Sequence, residues 1–158
     1  MNFDEFTAQN IGKKIEFDGA YPNQCVDLVN QYLSNVYQYP RIPGNAKDFI
    51  KNAPSNYFTY AKNTPLYIPL KGSIAVWDGS AGDGDGHVSV VRSSTLFKFV
   101  SLDQNWPKRA PVSEVEHNYK GVDGFLIPRA RDIVGLFNQM VEEMRALTAK
   151  YPKVSYTA

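Results

Sequence analysis

One cysteine, two histidines and a short acidic-amide motif carry most of the chemistry legible in this chain. Cys25 follows Gln24 and opens the run Cys25-Val26-Asp27-Leu28-Val29-Asn30-Gln31-Tyr32-Leu33-Ser34-Asn35-Val36-Tyr37. Val26, Val29, Leu33 and Val36 recur at helical spacing, which predicts a helix with the sulfur in its first turn. Backbone amide donors and the positive end of the helix dipole lie there, and both favour thiolate over thiol. A lone cysteine is more often an inert small hydrophobe. Cys25, however, lies off the apolar stripe and among the polar Asn23, Gln24 and Asp27, so it reads as a nucleophile.

His87 follows the turn Gly82-Asp83-Gly84-Asp85-Gly86 and opens the apolar run Val88-Ser89-Val90-Val91. It is the candidate base, expected at a sheet edge open to solvent. His117, within Glu114-Val115-Glu116-His117-Asn118, reads as a surface histidine on a solvated face. Asp103 and Asn105 stand two apart on an extended run, so their side chains share a face. Either could accept the imidazole N–H, Asp adding charge and Asn only orientation. Gln24 is the candidate oxyanion donor beside the Cys25 backbone N–H.

Two acidic groups bear on metal binding. Glu16, Asp18 and Asp27 flank the turn into the cysteine helix, and hard oxygen ligands at that spacing suit calcium. Asp83-Gly84-Asp85 has no following bidentate Glu and reads as a plain glycine turn. No Cys/His spacing fits zinc.

The elements that must position these groups follow from pattern and punctuation. A short helix is expected over 3–14, a loop over 15–23, and a helix from Cys25 ended by Pro40 and Pro43-Gly44. A second short helix is expected over 45–50, then Pro- and Asn-rich chain to Leu70 with extended pieces around Tyr57–Tyr60. Strands are expected at Ser73–Trp77, His87–Arg92, Leu96–Leu102 and Gly124–Pro128. Helices followed by a meander of strands predict an α+β domain with an antiparallel sheet. Ile133, Phe137, Met140, Met144, Leu147 and Tyr151 form a narrow seam that predicts a C-terminal helix ended by Pro152. The expected division is a domain over 1–130 and a helical tail or linker over 131–158.

Composition bounds the rest. A chain of 158 residues with 17 basic and 16 acidic side chains suits one domain and gives no electrostatic reason to expect nucleic acid. One cysteine excludes an internal disulfide. No stretch approaches the roughly 20 apolar residues of a membrane span. The first residues carry neither a basic n-region nor an apolar h-region, so no signal peptide is read and membrane insertion is not expected.

The ordered pieces resemble a CHAP domain, the cysteine- and histidine-dependent amidohydrolase/peptidase of phage and bacterial peptidoglycan hydrolases. They are Asp18-Gly19-Ala20-Tyr21 leading to Gln24-Cys25-Val26-Asp27, then Gly44-Asn45-Ala46-Lys47-Asp48 and Gly72-Ser73-Ile74-Ala75-Val76-Trp77. Gly86-His87-Val88-Ser89-Val90-Val91, Leu102-Asp103-Gln104-Asn105-Trp106 and Gly124-Phe125-Leu126-Ile127-Pro128 complete the set. They span roughly residues 15–130, and the nearest likeness is to catalytic domains of phage endolysins attacking Gram-positive walls.

The resemblance implies a papain-like fold, Cys25 as nucleophile and His87 as base. Such enzymes usually carry Glu at the third position with Asn two residues later. Here Asp103 replaces that Glu, and which of Asp103 and Asn105 orients His87 stays open. Relatives bind calcium through acidic residues matching Glu16, Asp18 and Asp27, so calcium is the one cofactor implied, as a structural or activating ion, and no organic cofactor is expected. The implied partner is bacterial peptidoglycan, cut as a stem-peptide or crossbridge endopeptidase or as an N-acetylmuramoyl-L-alanine amidase, with Trp77, Tyr21 and Trp106 as candidate substrate-binding residues. The protein is expected to be made in the host cytoplasm, to act at the wall after release and to work as a monomer, with 133–151 as a surface for self-association. The competing class is a wall-binding module that keeps the fold without turnover. A sortase-type transpeptidase places His before Cys, the reverse of the order here.

Overall fold

The computed structural model describes residues 1–21 and 23–129, together with positions 141, 144 and 145. Three helices and six strands follow in chain order. They are α1 (Phe3–Asn10), α2 (Cys25–Tyr32), α3 (Phe49–Asn52), β1 (Phe58–Lys62), β2 (Ile74–Trp77), β3 (His87–Ser94), β4 (Phe99–Asp103), β5 (Ser113–His117) and β6 (Val122–Pro128). The strands form one sheet in the order β1-β6-β2-β3-β4-β5, with every pairing antiparallel. The α+β class read from the element order is the observed one. Apart from the three positions named, the C-terminal helix, its seam over 133–151 and the tail over 131–158 lie outside the described residues.

α1 ends at Asn10 rather than running to residue 14. Asn2 accepts from the Glu5 amide and Glu5 from the Asn2 amide, a reciprocal cap that starts the helix, while Gly12 at φ +78° ends it. α2 runs on through a wider turn, Leu33–Tyr37, before Gln38 takes a left-handed conformation. Its apolar face, Leu28, Val29, Tyr32 and Leu33, packs with Phe6, Phe49, Ile74, Val76, Val88, Val90 and Leu102 in the main core. A smaller cluster of Ala75, Trp77, Val91, Phe99, Val122 and Phe125 uses the alternate residues of the same strands. β2 and the first half of β3 are therefore buried on both faces, which explains their nearly continuous apolar runs.

Two strands were not legible as such. β1 realises the extended pieces around Tyr57–Tyr60 as an edge strand paired with β6. β5 is the opposite edge, paired with β4 from Phe99↔His117 to Asp103↔Ser113. Its Glu114 and Glu116 face outward to Arg92 and Lys98, the charged dressing expected of an edge strand, while His117 turns inward. Among the described residues no helix is long and apolar enough to cross a membrane.

Leu28 has no exposed surface and anchors α2 in the main core. Leu28→Ala is expected to cost about 2–5 kcal/mol, read from urea unfolding. A loss below about 1 kcal/mol would show that α2 is not held by this packing.

Candidate active site

Cys25 is the first residue of α2 and only 8% exposed. Gln24 caps the helix in extended conformation, and its amide donates to Asp27 Oδ2 at 2.7 Å. The Cys25 sulfur therefore lies where the first-turn amides and the helix dipole meet developing negative charge.

His87 begins β3, an interior strand, and is 2% exposed. This corrects the expectation of a solvent-open edge: β3 lies between β4 and β2, whose Trp77 pairs with His87, and the ring is covered by Trp77 at 5.1 Å and Trp106 at 4.7 Å. Its Nε2 lies 2.6 Å from Asp103 Oδ1. With Nε2 engaged by Asp103, Nδ1 is the ring nitrogen left to meet the Cys25 side chain, which acts on the imidazole by hydrogen bonding and charge. Burial alone would depress the imidazole pKa. The hydrogen bonds to Asp103 and Cys25 and their negative charge outweigh burial and push it up to about 9.

Asp103 has no exposed surface. Its Oδ1 accepts from His87 and from His117 Nε2 at 3.1 Å, and its Oδ2 accepts from the Ser101 hydroxyl at 2.6 Å. Burial would raise its pKa, yet the hydrogen bonds from His117 and His87 hold the carboxyl below the usual range. His117 is thus 8% exposed and part of the site's interior, not a surface histidine. The alternation Glu114-Val115-Glu116-His117 was the signal that could have found it: two glutamates mark one face as solvated and thereby the other as buried.

Asp103 and Asn105 do not share a target. β4 ends at Asp103, and Asn105 adopts φ +62°, which breaks the alternation that would have put both side chains on one face. Asn105 Nδ2 donates to Gln24 Oε1 at 3.0 Å, and its Oδ1 accepts from the Arg109 amide. Between them, fully buried Gln104 was missed by sequence reasoning. Its Nε2 donates to the Ile15 carbonyl at 2.9 Å and the Gln24 carbonyl at 2.8 Å, while its Oε1 accepts from the Ile15 amide. A polar side chain in a Leu-Asp-Gln-Asn run carries no periodic signal, so only the fold reveals this clamp.

The three residues expected to bind substrate separate. Tyr21 is 77% exposed, and Trp106 is half-buried with its ring beside His87. Trp77 is 4% exposed and packs against His87, Phe99 and His117, so it supports the His87 ring and cannot wall a groove.

Beside the helix start, Glu16, Asp18 and Asp27 each offer a carboxylate oxygen, all within 4.8 Å of one another. Glu16 Oε1 also accepts from the Gly19 amide, and Asp18 is paired with Arg41 at 2.5 Å. Asp27 is pushed up by burial and by the charges of Glu16 and Asp18, against the backbone amides of Gln24 and Phe17. Asp83 and Asp85 instead pair with Lys108 and Asn45, in keeping with a turn.

A family model described as the CHAP domain matches residues 16–105. Endolysin PlyTW of Staphylococcus phage Twort is 30% identical over 135 residues, covering 79% of this chain and 29% of that protein. Endolysin LysK of Staphylococcus phage K is 34% identical over 117 residues, covering 71% of this chain and 23% of that protein. The chain therefore spans less than a third of the length of these relatives. Among solved structures, the crystal structure of the wild-type endolysin LysIME-EF1 superposes with a TM-score of 0.70 at 24% identity, covering 84% of this chain and 67% of that one, a likeness of fold.

The raised His87 pKa has a consequence for stability. The folded state binds the imidazole proton more tightly than the unfolded chain, whose ordinary value is 6.5. The resulting stabilisation is full below that value and is lost as pH rises through about 9. The stability difference between the parent and His87→Ala, measured by urea unfolding, should therefore shrink between pH 6 and pH 9.5. A difference that grows with pH would contradict the arrangement.

Proposed function

This chain belongs to the CHAP domain family, and on that premise we propose that it is a peptidoglycan hydrolase that cuts an amide bond of the bacterial cell wall through Cys25. The observation that carries the reading is the buried set of Cys25 at the start of α2, His87 on β3 and Asp103 on β4, with His87 Nε2 2.6 Å from Asp103 Oδ1 and Cys25 acting on the same ring. The likeness to two staphylococcal phage endolysins supports the wall as the place of action, reached after release from the cell that makes the protein.

In the proposed reaction, the Cys25 thiolate, paired with the His87 imidazolium, attacks the scissile carbonyl. The carbonyl π electrons move onto oxygen, where the Cys25 backbone N–H and the Gln24 side-chain amide receive the charge. Asn105 holds Gln24 Oε1, which turns the amide nitrogen to the opposite side. Collapse breaks the C–N bond, and His87 Nδ1 delivers its proton to the leaving amine. His87 then takes a proton from water as the hydroxide adds to the thioester, and collapse of this second adduct breaks the C–S bond, releasing the acid and restoring the Cys25 thiolate beside the His87 imidazolium. Asp103 holds the ring and balances its charge throughout and is not itself protonated. Because the acid step needs the imidazolium, turnover should decline as pH rises through about 9.

The decisive assay is digestion of purified Gram-positive peptidoglycan, with mass spectrometry of the fragments. The parent is expected to release new termini whose masses distinguish amidase from endopeptidase cleavage. Cys25→Ala is expected to release none, and Gln24→Ala to turn over roughly 10²-fold more slowly. Equal action by the parent and Cys25→Ala would favour a wall-binding module that keeps the fold without turnover.

Glu16, Asp18 and Asp27 fit a calcium ion by their all-oxygen donor set and the mutual repulsion that a cation would relieve. The ion would supply positive charge there and brace the 16–27 loop against the start of α2. Calcium is expected to raise the melting temperature of the parent, and not that of Asp18→Ala. No change in the parent would show that these carboxylates hold no calcium.

A further inference from the structure

The Cys25–His87–Asp103 set uses one of the chain's two histidines, and the second is bound into the same carboxylate. His117 closes β5 opposite Phe99 of β4, with its Nε2 3.1 Å from Asp103 Oδ1, the oxygen that also receives His87. An ionised carboxylate can only accept, so both Nε2 atoms carry hydrogen. Together with Ser101 on Oδ2, Asp103 receives three donors on two oxygens.

His117 reaches the carboxylate and no further toward the reacting atoms. Its ring centroid is 6.3 Å from that of His87 and is enclosed by Trp77 at 4.9 Å, Phe99 at 5.5 Å and Trp106 at 5.6 Å. These contacts fix the imidazole plane and so the direction of its N–H. Ser101 lies on the same strand as Asp103, and His87 is the group to be oriented. His117 alone brings an anchor from a third strand, and rotation of the short Asp side chain about its terminal bond would break it.

We propose that His117 is a positioning residue: from β5 it pins the Asp103 carboxylate against rotation, and the pinned carboxylate holds His87 toward Cys25. The proposal rests on the hydrolase reading only for its kinetic consequence. The groups facing the carboxylate are His87 from β3, Ser101 from β4 and His117 from β5, with Cys25 of α2 on the far side of His87.

The test compares the parent with His117→Phe, which keeps a ring and loses the donor, and His117→Gln, which keeps a side-chain N–H. Steady-state digestion of peptidoglycan is paired with NMR titration of the histidine rings; in both variants the one remaining histidine is His87. His117→Phe is expected to lower kcat about 10- to 100-fold with KM unchanged. In the same variant the His87 titration should move down from about 9 toward 6.5, by about one unit, and the high-pH limb of activity should move with it. His117→Gln should recover most of both. Should the Phe variant not fold, His117→Met, similar in volume and without a donor, takes its place.

A donor-less variant with parental kcat and parental His87 titration would overturn the proposal and make His117 a core residue only. An upward shift of His87 would also overturn it, since His117 would then merely compete for the carboxylate. If the parent releases nothing from peptidoglycan, the hydrolase reading fails by itself, and the titration still decides the role of His117.

Discussion

A carboxylate with no exposed surface must be satisfied inside the protein, because an unpaired buried charge costs several kcal/mol. Asp103 is that group, and its partners lie on three strands: His87 on β3, Ser101 on β4 and His117 on β5. Satisfying it therefore sets the side-by-side placement of those strands at the end where α2 begins. The next two residues carry the constraint to the start of the Cys25 helix. Gln104 ties the end of β4 to Ile15 and to the Gln24 carbonyl, and Asn105 ties it to the Gln24 side chain. Three consecutive residues thus hold both His87 and the cap of the cysteine helix, so Cys25 and His87 cannot drift apart without breaking buried hydrogen bonds.

The aromatic residues act on the same charges. Trp77 and Trp106 cover His87, and Trp77, Trp106 and Phe99 surround His117. By excluding water they strengthen each hydrogen bond within the cluster and raise the cost of any partner lost. Burial works against a charged imidazole and against a charged carboxylate alike. Each is nonetheless favoured in its charged form, the carboxylate by hydrogen bonds from His117 and His87 and the imidazole by Asp103 and Cys25. The acidic group at 16–27 is the opposite case, three like charges brought together with Arg41 as a counter-charge on one of them.

What was legible in the sequence had local causes. The helix at Cys25 shows in its 3.6-residue periodicity, and the central strands in their short apolar runs bounded by Gly and Asp. Misread features depended on non-local pairing. His87 looked like an edge residue because it opens its strand after a glycine turn, and nothing local says that β2 and β4 flank β3 or that Trp77 and Trp106 cover the ring. His117 looked solvated because Glu114 and Glu116 are, although alternate residues of a strand face opposite ways. Trp77 looked like a groove wall because burial on both faces of β2 is invisible in four residues. The choice between Asp103 and Asn105 turned on one backbone angle, the left-handed φ of Asn105.

On the proposed mechanism the Asp103 charge, and not the Asn105 amide, holds His87 as the base. The most direct test is the turnover of Asp103→Asn on purified peptidoglycan, with the fold verified by circular dichroism. Replacing the carboxylate by an amide keeps shape and removes charge, so the predicted outcome is a folded protein with kcat lowered by roughly 10²-fold or more. A folded Asp103→Asn variant that digests the wall at the parental rate would contradict it.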